Sequence, residues 1–166
     1  MDDLIVFLRA RLGDDEMWAI EGSREATTGQ APEGGAHWRW VSSNTDTEFT
    51  PDLGEPTLGH TAGEPFVSLL SREEWDFPLD TPGPQFVLHS EEVPSAAAGH
   101  IARHDPARVL RDVEAKRQAI EHYEQIQALT QDPDAYVLAE GAVMKQMQIM
   151  ALPYADHPDY RDDWRP

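Results

Sequence analysis

Ala97-Ala98-Gly99-His100-Ile101-Ala102-Arg103-His104-Asp105-Pro106-Ala107-Arg108-Val109-Leu110 reads as two helices meeting at a sharp corner. A residue that precedes proline is pushed out of the right-handed helical region, so Asp105 should end the first helix. Its carboxylate is then free to cap the second helix, and Pro106 suits a first helical position, where a missing N–H costs nothing. The second helix should run to about Thr130, with Asp132-Pro133 repeating the stop. Val109, Leu110, Val113, Ile120, Tyr123 and Ile126 recur at helical spacing and charged residues fill the other side, as expected of the spine of a small fold.

Upstream of this corner, Leu4, Ile5, Leu8 and Leu12 predict a first helix capped by Asp2 or Asp3. Gly13 weakens it, and Asp14 is expected to recap a second piece reaching Ile20. Residues 22–36 are rich in Gly, Thr, Pro and Glu and read as a loop. Four short strands come next, at Trp38–Val41, Thr47–Thr50, Phe66–Leu70 and Gln85–His89, punctuated by glycines and prolines in the manner of an antiparallel meander. The link Leu53–Glu64 is long for a hairpin. Downstream of the spine, Ala135–Ala151 predicts a helix with Val143, Met144, Met147 and Met150 on one side, ended by Pro153. The aromatic residues Tyr154, Tyr160 and Trp164 should pin the tail to the body.

The expected architecture is a single α+β domain over residues 1–166. It has a helical segment 1–21, a loop 22–36, a β-rich segment 37–93, about three helices within 94–152 packed on the sheet, and a tail 153–166. A chain of 166 residues is long enough to bury a core. With 31 Asp and Glu against 13 Lys and Arg, the formal charge is −18. Residues 1–95 hold 19 of the acids and 5 of the bases, so the acidity is concentrated in the first half. Such a field repels phosphate backbones and argues against direct nucleic-acid binding. It suits a basic protein partner, or an acidic mimic of DNA that occupies the groove of a nucleic-acid-binding protein. No apolar run is long enough for a membrane span and no signal segment is evident, so the expected setting is cytoplasmic. Cysteine is absent, which removes disulfides and thiolate metal sites. A homo-oligomer is compatible with all of this.

His100 and His104 stand one helical turn apart and therefore on one side of a helix, with Asp105 beside them. Two histidines at that spacing can share a metal, as on a zincin helix, and this supports a third functional reading, a metal-dependent hydrolase. The zincin signature also needs a glutamate after the first histidine, and Ile101 occupies that place. Further ligands would have to come from His122, His157 or Asp156, so the expectation is no metal and no cofactor, with His100, His104 and Asp105 as binding residues at a helix junction. In Asp156-His157-Pro158-Asp159 a carboxylate could orient His157 as a base, but the same residues form a good turn. No serine sits in a nucleophile elbow, and Gly34-Gly35 lacks the lysine of a phosphate loop. Trp38 and Trp40 share one face of their strand, as a core wall or, if exposed, a docking patch.

Three blocks carry a resemblance. Met1–Leu12 (MDDLIVFLRARL), His100–Glu114 (HIARHDPARVLRDVE) with Ala115-Lys116-Arg117, and Ala151–Trp164 (ALPYADHPDYRDDW) are similar to a family of uncharacterised short proteins from actinobacteria and their phages. More loosely, the sequence resembles phage-encoded ead/Ea22-like proteins. The resemblance implies a genomic setting and no activity. It also implies a turn before the first strand, begun here by Ala26-Thr27-Thr28-Gly29. Many members have a cysteine cluster that looks like a zinc site after the position of His122. Met144 stands near the last of those cysteines here, so packing is expected to close that end. The leading expectation is a non-enzymatic accessory protein that binds another protein.

Overall fold

The computed structural model describes residues 2–24, 36–43, 45–58, 66–75, 83–129 and 133–166. Most of the expected loop 22–36, including Gly34-Gly35 and Ala26–Gly29, lies outside the described residues. So do the end of the Leu53–Glu64 link and Asp132. In chain order the elements are α1 (Asp2–Gly22), β1 (Trp38–Ser42), β2 (Glu48–Phe49), β3 (Thr57–Leu58), β4 (Val67–Trp75), β5 (Gly83–Ser90), β6 (Val93–Pro94), α2 (Ser95–Arg103), α3 (Pro106–Leu129) and α4 (Pro133–Ala151). Short 3-10 turns come after them at Leu152–Tyr154 and Asp162–Trp164. The class is α+β, with an N-terminal helix, an antiparallel sheet and three further helices. Among the described residues no helix is long and apolar enough to cross a membrane.

The chain forms two compact units, Met1–Met17 with Arg111–Pro166, and Trp18–Leu110. In the first, α1 buries Leu4, Ile5, Phe7, Leu8 and Leu12, one side of a 3.6-residue repeat. Val113, Ile120 and Tyr123 of α3, Met147 and Ala151 of α4, and Trp164 are buried in the same unit. Met147 is therefore core, while Met144 on the same helix is only half-buried. The Phe7 ring is ringed by Tyr154, His157, Tyr160 and Trp164, with centroids 5.0 to 6.3 Å away. The tail is thus held by aromatic edges against α1. The expected break at Gly13 does not occur. A mid-helix glycine costs about 1 kcal/mol. Here Leu12 is buried just before it, the Tyr154 hydroxyl donates to Asp15 (2.5 Å) just after it, and Arg117 grips Glu16 with two bonds of 2.7 Å. These ties outweigh the propensity cost.

In the second unit the main sheet has the order β2-β1-β4-β5, all antiparallel. The four expected strands are present, but the order is not that of a meander. Two hairpins lie side by side, with β4 pairing to β1 (Trp40 opposite Leu69) and not to β2. Trp38, Trp40, Val67 and Leu69 turn toward α2, whose Ala98, Ile101 and Ala102 close that core. The expectation put about three helices on the sheet. The sheet core is closed by α2, while α4 and α3 from Arg111 onward belong to the first unit. A second ladder, β3 with β6, pairs Leu58 with Val93 and leads directly into α2, where the Ser95 N–H donates to the Pro56 carbonyl at 3.1 Å. Strands of two residues carry no alternation, which is why the sequence pattern misses them.

The corner obeys the expected chemistry. The α2 helix stops at Arg103, and the His104 N–H bonds back to the carbonyls of His100 and Ile101. Asp105 then accepts from the Arg108 N–H at 2.8 Å, and α3 starts at Pro106.

Candidate functional site

The open side of α2 carries two of the polar residues singled out in the sequence, His100 and His104. Ser95, Ala96, Gly99, His100, Arg103 and His104 recur at helical spacing and, with Pro51 and Leu53 from the β2–β3 connection, line a cavity of about 170 Å³. The connection is shaped by an Asx turn, in which Asp52 Oδ1 accepts from the Gly54 N–H at 2.9 Å. Leu53 at its tip is 85% exposed. Gly99 lies on this side with its Cα near Pro51, so an added Cβ would be 3.5 Å from the proline ring. The wall of the cavity thus needs no more than a small residue there.

The two histidine rings lie against each other, centroids 4.1 Å apart and planes tilted by 32°. His104 Nδ1 donates to the carbonyl of His100 at 2.8 Å, a second bond to an acceptor that the His104 backbone N–H also reaches. With its proton on Nδ1, the neutral ring presents a lone pair at Nε2. Both side chains are solvent-exposed. Asp105 is next in sequence but is committed to capping α3. Among the described residues no group of three or more His, Asp and Glu side chains is arranged to hold a metal. The three-ligand set that a hydrolase would need is not assembled among them.

Trp38 and Trp40 take the core reading. Trp40 is 1% exposed and its indole N–H donates to the Ala98 carbonyl at 2.9 Å, tying β1 to α2. Trp38 is half-buried against the same core. His157 belongs to the first unit. It packs edge-on to Phe7, and Arg11 Nη1 donates to its ring, 2.7 Å from Nε2. Of the two carboxylates in that stretch, the one that comes near the ring is Asp159, 3.8 Å from Nδ1 and beyond hydrogen-bond distance, while the Asp159 backbone N–H donates to Nδ1 at 3.1 Å. His157 also stands in a tight turn, its N–H bonded to the Tyr154 carbonyl and its own carbonyl to the Tyr160 N–H, both at 2.9 Å. Close by, burial and the bond to Asp15 push the Tyr154 hydroxyl far above the usual phenol range.

Three features escaped the sequence reading. Arg103, Ser95 and Leu53 join the histidines, and the helical spacing of Ser95, Gly99 and Arg103 was the available signal. Ser43, just past the end of β1, forms a hydrogen-bonded group with Ser68 of β4 and His89 of β5, Ser68 Oγ lying 2.8 Å from Ser43 Oγ and 3.1 Å from His89 Nδ1. Their proximity depends on register, which local sequence does not encode. Finally, β5 forms one end of the main sheet.

A family model for a family of unknown function, DUF6221, matches residues 1–166, and the chain belongs to that family. No curated protein and no solved structure matches it.

Proposed function

We propose that this member of the family is a non-enzymatic accessory protein that acts by binding another protein, and that the outer edge of β5 is the surface it offers. The observation that carries this reading is the character of that edge. The eight residues Gly83–Ser90 contain no charged side chain in a chain where 27% of residues are charged, and Phe86 on this strand is 58% exposed. Soluble proteins blunt sheet edges with charges, prolines or short strands. The opposite edge, β2, is only two residues long, whereas β5 carries a single proline near its start. Phe66, His89 and Phe86 form a row of rings, with centroids 4.9 and 6.0 Å apart.

An extended segment adding to such an edge gains main-chain hydrogen bonds and pockets for alternate side chains. Glu91 and Glu92 come directly after the strand, and Glu74 lies on β4 beside it, so the partner segment is one flanked by Lys or Arg. The resemblance of the His100–Glu114 and Ala151–Trp164 blocks points to an actinobacterial or phage setting, in the cytoplasm. The test is affinity capture from host lysate with the wild type and Phe86→Asp in parallel. Proteins recovered by the wild type and lost with the variant, at equal thermal stability, support the reading. Identical recovery with both baits overturns it.

A further inference from the structure

We propose that His100 and His104 form a two-histidine site for a borderline divalent cation of the Zn²⁺, Ni²⁺, Cu²⁺ class on the open side of α2. This goes beyond the binding reading above and does not depend on it. The first argument is spacing. Two imidazoles that share one ion, each nitrogen about 2.1 Å from it and the pair held cis, have ring centres about 4.5 to 5 Å apart. The two rings here are 4.1 Å apart, so two exposed side chains need to part by only about half an ångström to hold the ion between them.

The second argument is the proton. A histidine that ligates a metal nearly always donates its other ring N–H to a carbonyl or carboxylate, which fixes the tautomer and the ring. His104 makes that bond to the His100 carbonyl at 2.8 Å, and its Nε2 is left as the ligand atom. Third, both side chains are exposed along a cavity of about 170 Å³, which gives water room to complete the coordination. Two imidazoles with water suit the later first-row divalent ions, with Cu²⁺ held most tightly in the usual order. The strongly negative chain raises the local concentration of any cation. Arg103 lines the same cavity and works against a cation. That opposition gives the proposal its sharpest test, because an anion in the same cavity would depend on Arg103.

The experiment titrates the full chain with CuCl₂, NiCl₂ and ZnCl₂ separately, by calorimetry in a non-coordinating buffer at neutral pH. Histidine ring signals are followed by NMR during the Ni²⁺ titration. One ion per chain is expected at this site, broadening the His100 and His104 signals first. His100→Ala should weaken it at least about tenfold, the scale of a lost ligand-sphere interaction. It leaves the helix end intact, since the carbonyl of His100 and not its ring is used there. His104→Ala should do the same, with circular dichroism checking that α2 survives. His157→Ala should leave the site unchanged, and Arg103→Ala should tighten it. Absence of binding, or equal affinity in the His100→Ala/His104→Ala double variant, overturns the proposal. So does weakening by Arg103→Ala together with binding of inorganic phosphate, which would assign the cavity to anions.

Discussion

At the scale of single residues the carboxylates that matter for stability are the few whose partners are built into the fold. Arg117 donates two parallel bonds of 2.7 Å to Glu16, the fork geometry that a lysine cannot reproduce. This bond, more than the charge alone, holds the Glu16 carboxyl below its ordinary value of 4.5. Arg72 does the same for Glu48. For Glu73, burial pushes the carboxyl up, but the bond from His37 and neighbouring backbone N–H groups outweigh it, and the net direction is down. A carboxyl that is more acidic in the folded than in the unfolded chain contributes stability above the unfolded value. That contribution is lost as pH falls through 4.5 toward the folded value. Both partners of the Glu16 pair are about one-third exposed, so solvent screening keeps its worth to about 0.5 to 1 kcal/mol. Glu16→Gln should therefore lower the unfolding free energy measured in urea at neutral pH by that amount. The difference from wild type should vanish in acid well below pH 4.5, and a difference that persists there would contradict the linkage.

At the scale of elements the corner between α2 and α3 was readable because its cause is local. A residue before proline leaves the helical region, and the same aspartate caps the next helix. Asp105→Ala should cost about 1 kcal/mol, with Asp105→Asn and Asp105→Ser retaining most of the stability. Urea unfolding of the three variants checks this, and equal losses in all three would show that the carboxylate acts otherwise than as a cap. The same locality explains what else could be read. Leu4, Leu8 and Leu12 declare α1 by period, Pro153 ends α4, and Trp38 and Trp40 declare one sheet face. The features that could not be read depend on contacts distant in sequence. Gly13 lies within an intact helix because Tyr154 and Arg117 hold the turn beyond it. The β1–β4 pairing joins strands separated by β2 and β3, and the two-residue ladder of β3 with β6 has no periodic signal. The histidine pair was visible as a spacing. Its cavity and the presence of Leu53 beside it were not, since these come from the β2–β3 connection folding back onto α2.

At the scale of the whole molecule the excess of acids sets a competition between local pairs and collective repulsion. With 31 acids and 13 Lys and Arg, at least 18 acids cannot be matched one to one by a strong base. The pairs that do form are mostly exposed, such as Arg9 with Glu124 and Arg161 with Asp3, and exposed pairs of this kind are worth about 0.2 to 1 kcal/mol at most. Salt screens both effects, but not equally. The pairs are close contacts, whereas the repulsion is summed over many separations of the order of the Debye length, about 30 Å at 0.01 M and about 3 Å at 1 M. Repulsion is therefore the larger loss when salt is added, and the folded chain gains. The thermal midpoint should rise by a few degrees between low salt and high NaCl, in chloride rather than sulfate so that exclusion from the surface does not contribute. Reversing part of the excess has the same sign. Replacing exposed acids that have no role in the corner or the pairs, such as Asp156 or Glu92, with lysine should raise the low-salt midpoint and flatten its dependence on NaCl. A midpoint that falls with NaCl would mean that the exposed pairs, and not the net charge, govern the electrostatic stability of this fold.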